Sequence, residues 1–85
     1  MKEFTYTITD PSGIHARPAG LLVKEATKFA SDIIIKKGDH TGDLKRIFAV
    51  MALGAKQGDT VSISVTGNDE VEAAAEVQSF FKANL

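Results

Sequence analysis

Two stretches of the chain alternate apolar and polar residues with a period of two. From Phe4 to Thr9, Phe4, Tyr6 and Ile8 fall on one side and Thr5, Thr7 and Thr9 on the other, which predicts a half-buried strand. From Thr60 to Thr66 the alternation is as regular and turns Val61, Ile63 and Val65 inward. Asp32 to Lys36, with its run of three isoleucines, reads as a further strand, and Lys37 to Thr41 as a turn into a short strand ending near Leu44. Between these segments the period changes to that of a helix. Ala19, Leu22, Val23, Ala26 and Phe29 recur at helical spacing over Ala16 to Phe29, with Pro18 in the first turn, where a missing N–H costs no intrahelical bond. Lys45 to Leu53 predicts a short helix closed by Gly54. Asp69 and Glu72 resemble a helix-start box, after which Val71, Ala74, Ala75, Val77, Phe81 and Leu85 predict an apolar stripe.

The order is therefore β-α-β-β-α-β-α. Strands with one apolar face predict an antiparallel sheet, and helices spaced between them must cover that face, giving a two-layer α+β sandwich. At 85 residues the chain is long enough for one core, so residues 1–85 are expected to form a single domain. Its 44% apolar and 25% charged residues describe an ordinary globular protein. The absence of cysteine removes disulfides, thiol chemistry and Cys-based zinc sites. A formal net charge of −1 with scattered charges argues against nucleic acid as a partner. No apolar run is long enough for membrane insertion, and the first residues do not read as a signal peptide, so a cytoplasmic location is expected.

Candidate chemistry is concentrated in Gly13-Ile14-His15-Ala16-Arg17-Pro18-Ala19-Gly20. A histidine stands where a loop becomes a helix, beside amide groups and a helix dipole that favour an anion. Arg17 offers planar, charge-assisted hydrogen bonds to phosphate oxygens, and small Ala16, Ala19 and Gly20 leave the imidazole open to a partner. On its own a histidine at such a place is more often a cap or a solvated residue; with Arg17 the set favours a histidine that accepts and releases a phosphoryl group. His40, in a Gly/Asp-rich turn, reads as a solvated residue. Neither histidine has acidic or histidine neighbours at metal-ligand spacing, so no metal or cofactor is expected.

The segment Gly13 to Ala19 resembles the active-site signature of the HPr family, the histidine-containing phosphocarriers of the bacterial phosphoenolpyruvate-dependent sugar phosphotransferase system, and Leu44 to Gly54 resembles its second signature. The resemblance covers the whole chain in length and element order. It implies an open-faced β-sandwich, with a four-stranded antiparallel sheet covered on one face by three helices. It also implies a carrier role in sugar transport: enzyme I would place a phosphoryl group on Nδ1 of His15, Arg17 would assist, and a sugar-specific IIA domain would remove it. Ser12, Ala16 and Pro18 would belong to the active-site turn, and Gly20, Ile47, Phe48 and Met51 to the docking face. Phe48 is the expected exposed anchor, since a short helix rich in Ile, Phe and Met is too small to bury them all. A monomer is expected.

Position 46 departs from the family pattern, in which serine is usual and is phosphorylated for regulation in many Gram-positive bacteria. Arg46 has no hydroxyl to modify, and its cation near a helix start calls for compensation by Asp43 or a backbone group. Two other readings compete. One is a small-molecule-sensing regulatory domain of β-α-β type, which has no need of His15 beside Arg17. The other is a specialised, nitrogen-related branch of the same family with the same chemistry.

Overall fold

All of the expected elements are present in the computed structural model, which describes residues 1–85. Their order is β1 (Lys2–Thr7), α1 (Ala16–Ala26), β2 (Asp32–Lys37), β3 (His40–Asp43), α2 (Ile47–Ala52), β4 (Thr60–Thr66) and α3 (Glu70–Asn84). The strands form one sheet in the order β1-β4-β2-β3, antiparallel at every junction. Its register places Ile35 opposite Ile63 and Ile33 opposite Val65, and all four are fully buried. Leu22 and Ala26 of α1, Val50 of α2, and Ala73, Val77 and Phe81 of α3 close over this face. Phe81 meets Tyr6 and Phe4 of the edge strand at ring-centroid distances of 5.4 and 6.1 Å. The opposite face carries Thr5, Lys36, Ser62 and a hydroxyl pair between Thr7 and Thr60 at 2.9 Å, so the sandwich is open on that side. No helix is long and apolar enough to cross a membrane.

Several boundaries differ from the sequence expectation, each for a local reason. Strand β1 stops at Thr7, not Thr9, because its partner β4 begins at Thr60 and the ladder ends there. Ile8 is still buried, but its N–H and carbonyl are taken by Asp59 and Gly58, while the Thr9 and Asp10 amides turn to the Leu85 oxygen. Helix α1 ends at Ala26, not Phe29. The Thr27 hydroxyl bonds the Lys24 carbonyl at 2.9 Å, and the next two amides reach back only three residues. Lys45 lies outside α2 and caps the Phe29 carbonyl at 2.8 Å, which ties the end of α1 to the start of α2. His40 is not a turn residue; it opens β3 opposite Lys37 and is exposed there. In α3 the expected stripe is rotated, with Val71 and Ala75 exposed and Ala73 buried in their place.

Asp69 also differs. It stands at the start of α3 but makes no cap bond; its carboxylate instead accepts from the Ala30 amide at 2.8 Å, the Ser31 amide at 2.9 Å and the Ser31 hydroxyl. The helix start is served by Glu70, which accepts from the Gly67 amide at 3.2 Å. Asp69 thus pins the α1–β2 loop to α3, and Ser31 is the one fully buried polar residue of the core. The Ser31 hydroxyl, followed by the Ala30 amide, holds the Asp69 carboxyl below its ordinary 3.8. A carboxyl whose folded pKa is lowered adds stability above its unfolded value and loses it as the pH falls through the folded one. Asp69→Asn should therefore lower Tm at pH 7, and the gap from the unsubstituted chain should narrow below about pH 4. A gap that stays constant down to pH 2 in thermal melts contradicts this role.

Candidate functional site

The site is built where the loop after β1 enters α1. Asp10 begins a tight turn, accepting the Gly13 amide on its carbonyl at 2.9 Å and the Ser12 amide on its carboxylate at 2.8 Å. Gly13 has φ +66, and a Cβ there would lie 2.3 Å from the Ala55 carbonyl oxygen, so only glycine lets the loop settle on the segment between α2 and β4. The same Ala55 oxygen accepts the Ile14 amide at 3.0 Å, and the Ile14 side chain is buried. The next residue is His15. A buried anchor on one side and a helix on the other thus fix its backbone.

His15 occupies the N-cap position of α1 in extended conformation, with φ −101 and ψ −177, and its carbonyl takes the Ala19 amide at 2.9 Å. The imidazole makes no cap bond and is exposed. Pro18 brings no N–H to the first turn, so the amides of Ala16 and Arg17 are the ones left to face an anion. Arg17 is exposed and takes part in none of the four ion pairs of the chain. His15 and Arg17 share a shallow cleft of about 230 Å³ with Asp10, Pro18, Leu21 and Asn84. A larger depression of about 590 Å³ lies on the open sheet face and has neither a histidine nor an arginine in its lining.

The residues expected at the site divide into three groups. Ser12, Ala16 and Pro18 lie within three residues of His15 along the chain, Ser12 and Ala16 exposed and Pro18 buried, and of the three only Pro18 lines the cleft. Phe48 is 83% exposed and Met51 39%, whereas Ile47 is half-buried against the core. Gly20 lies where α1 faces α2, and a Cβ on it would stand 3.7 Å from Ile47 Cδ1, an ordinary contact distance. Arg46 is the exposed N-cap residue of α2, with its Nε 3.8 Å from Asp43. Asp43 accepts the Lys45 amide on its carboxylate at 2.9 Å and the Arg46 amide on its carbonyl at 3.0 Å, both ahead of the helix, and no side chain caps the N-terminus of α2.

Leu21, Asp10 and Asn84 were not anticipated. Leu21 is 46% exposed and had a readable signal, being a large apolar residue off the buried stripe of α1. Asn84 reaches the cleft through the packing of α1 against α3 and the bonds of the Thr9 and Asp10 amides to the Leu85 oxygen, long-range contacts that leave no trace in the local pattern.

Residues 2–83 match the family model described as the PTS HPr component phosphorylation site. A phosphocarrier protein HPr from Mycoplasma genitalium is 40% identical over 85 residues, covering 99% of this chain and 97% of that protein. A crystal structure of HPr from Thermoanaerobacter tengcongensis is similar with a TM-score of 0.93 at 40% identity, covering 98% of this chain and 93% of that one. A crystal structure of an HPr dimer from the same organism gives a TM-score of 0.78 at 40% identity, covering 98% and 95% of the two chains.

Two substitutions test the geometry. Gly13→Ala should cost about 1–3 kcal/mol from the left-handed backbone alone, and more from contact with Ala55, so Tm should fall clearly in calorimetry. Phe48→Ala should change stability by no more than about 0.5 kcal/mol, against the ~3–5 kcal/mol expected of a core phenylalanine. A large loss on denaturant titration of the Phe48 variant would show that the ring is packed in solution.

Proposed function

We infer that this chain, which belongs to the HPr family of phosphotransferase-system phosphocarriers, takes a phosphoryl group from phosphorylated enzyme I onto His15 and hands it to a sugar-specific IIA domain. The observation that carries this reading is His15 itself. Its imidazole is exposed and uncommitted at the N-terminus of α1, in one cleft with an arginine that has no carboxylate partner. In the transfer, Nδ1 of His15 attacks phosphorus as the bond from phosphorus to the donor atom of phosphorylated enzyme I breaks, and the electron pair leaves with that donor atom. The Arg17 guanidinium and the free amides of the first turn then spread the charge of the phosphoryl oxygens. The reverse exchange with the acceptor uses the same groups.

A carrier must leave one partner before it meets the next, which favours a small apolar contact surface with fast dissociation. Phe48, Met51 and Leu21, beside Gly20 and Ile47, supply such a surface on the two helices next to the cleft. Both features need to be uncovered in turn, so the working form in this reading is a monomer in the cytoplasm. Arg46 leaves no hydroxyl for regulation by a serine kinase at that position. The family match and the uncommitted histidine favour this relay over small-molecule sensing.

Incubation with phosphoenolpyruvate and enzyme I, followed by intact mass measurement, should show one added phosphate that survives mild base and is lost in acid. His15→Ala should abolish the gain while keeping the fold, and phosphate retained by that variant would sink the assignment. Arg17→Ala should slow transfer by about 10²-fold with little change in Tm, because the side chain stabilises the transferring group and no ion pair of the fold. Equal losses of rate and stability would instead mark Arg17 as structural.

A further inference from the structure

We propose that Lys37, at the end of β2 and outside the His15 cleft, is a positioning residue for His15, a role that rests on the phosphocarrier reading above. Its ammonium stands 3.2 Å from the Gly54 carbonyl oxygen, 3.4 Å from the Leu53 carbonyl oxygen and 3.4 Å from the Asp59 carboxylate. The Leu53 and Gly54 carbonyls lie at the C-cap of α2 and one residue past it, where no later helical amide reaches them. Asp59 in turn accepts the Lys56 amide at 2.9 Å. One ammonium therefore ties both flanks of Ala55.

Ala55 is the residue on which the His15 loop rests. Its carbonyl holds the Ile14 amide, and Gly13 lies directly against it. A shift of that oxygen moves Ile14 and, one residue later, His15. Two features set Lys37 apart from an ordinary surface pair. Its side chain is only 31% exposed, and two of its three acceptors are backbone carbonyls, so losing it frees the loop backbone itself. The Asp59 carboxyl is held below its ordinary 3.8 chiefly by the Lys56 amide and further by Lys37, which agrees with the contacts of the clamp. Small misplacements of a reacting group carry large rate penalties.

The test compares Lys37→Met, Lys37→Arg and Asp59→Asn with the unsubstituted chain in phosphoryl transfer from enzyme I and in amide hydrogen exchange. Lys37→Met should lower kcat about 3- to 10-fold with KM for enzyme I within twofold, because the exposed residues of α1 and α2 are untouched. It should also speed exchange of the Ile14 amide about tenfold, and Lys37→Arg should restore both. Asp59→Asn should act in the same direction and add little to Lys37→Met in the double variant. A kcat equal to that of the unsubstituted chain overturns the proposal even if Tm falls, as does a loss that arginine fails to restore. If the unsubstituted chain takes no phosphate from enzyme I, the functional reading fails, and Ile14 exchange unchanged by Lys37→Met independently refutes the clamp.

Discussion

The pairing of β4 on both of its sides is the constraint from which the rest of the molecule follows. Lys2–Thr7 of β1 and Asp32–Lys36 of β2 are locked to it in antiparallel register, which commits Val61, Ile63 and Val65 to a single face. A slip of one residue would exchange them for Ser62, Ser64 and Thr66 and leave the helices nothing to cover. Because the face is fixed, the β1–α1 loop must cross the end of the sheet beside the start of β4. There it meets Ala55, and the histidine acquires its place.

The histidine itself is held through backbone. Its neighbours Gly13 and Ile14 are pinned by a steric fit and one amide bond, and the imidazole is kept out of the capping role that its position would normally invite. A capping bond would fix the ring but occupy a nitrogen that the proposed phosphoryl transfer needs free. Support from below and freedom above are thus separated onto different residues. The same division holds in α2, where Val50 is buried and Phe48 is not.

What was legible in the sequence was whatever depends on neighbours close along the chain. The alternation in Phe4–Ile8 and Thr60–Thr66, the helix-ending Gly54 with φ +62, and the outward Phe48 all follow from local period and backbone preference. Asp69 was misassigned because its three donors lie almost forty residues earlier, and a short polar residue before a helix has no local mark to distinguish capping from such a reach. The stripe of α3 was misphased for a related reason. Ala73, Ala74 and Ala75 stand in succession there with little contrast among them, so the identity of the buried face is set by what the sheet offers and not by the local pattern of Val71–Ala75. The platform beneath His15 was invisible, since nothing in Ala55 or Lys37 alone announces a contact to residue 14.

Helix α2 has a consequence of a different kind. Six residues are too few for a helix to persist in water, and only Val50 of the six is fully buried, so its folded form is sustained from outside by the core and by the tie from Lys45 to α1. Segments with so little anchorage open before the rest of a domain does. In the proposed docking role, Phe48 and Met51 therefore sit on a weakly anchored segment, one expected to open more readily than the sheet. In the proposed relay such a surface would adjust to dissimilar partners in succession, and an opening that spread past α2 to Leu53 and Gly54 would also loosen the platform under His15.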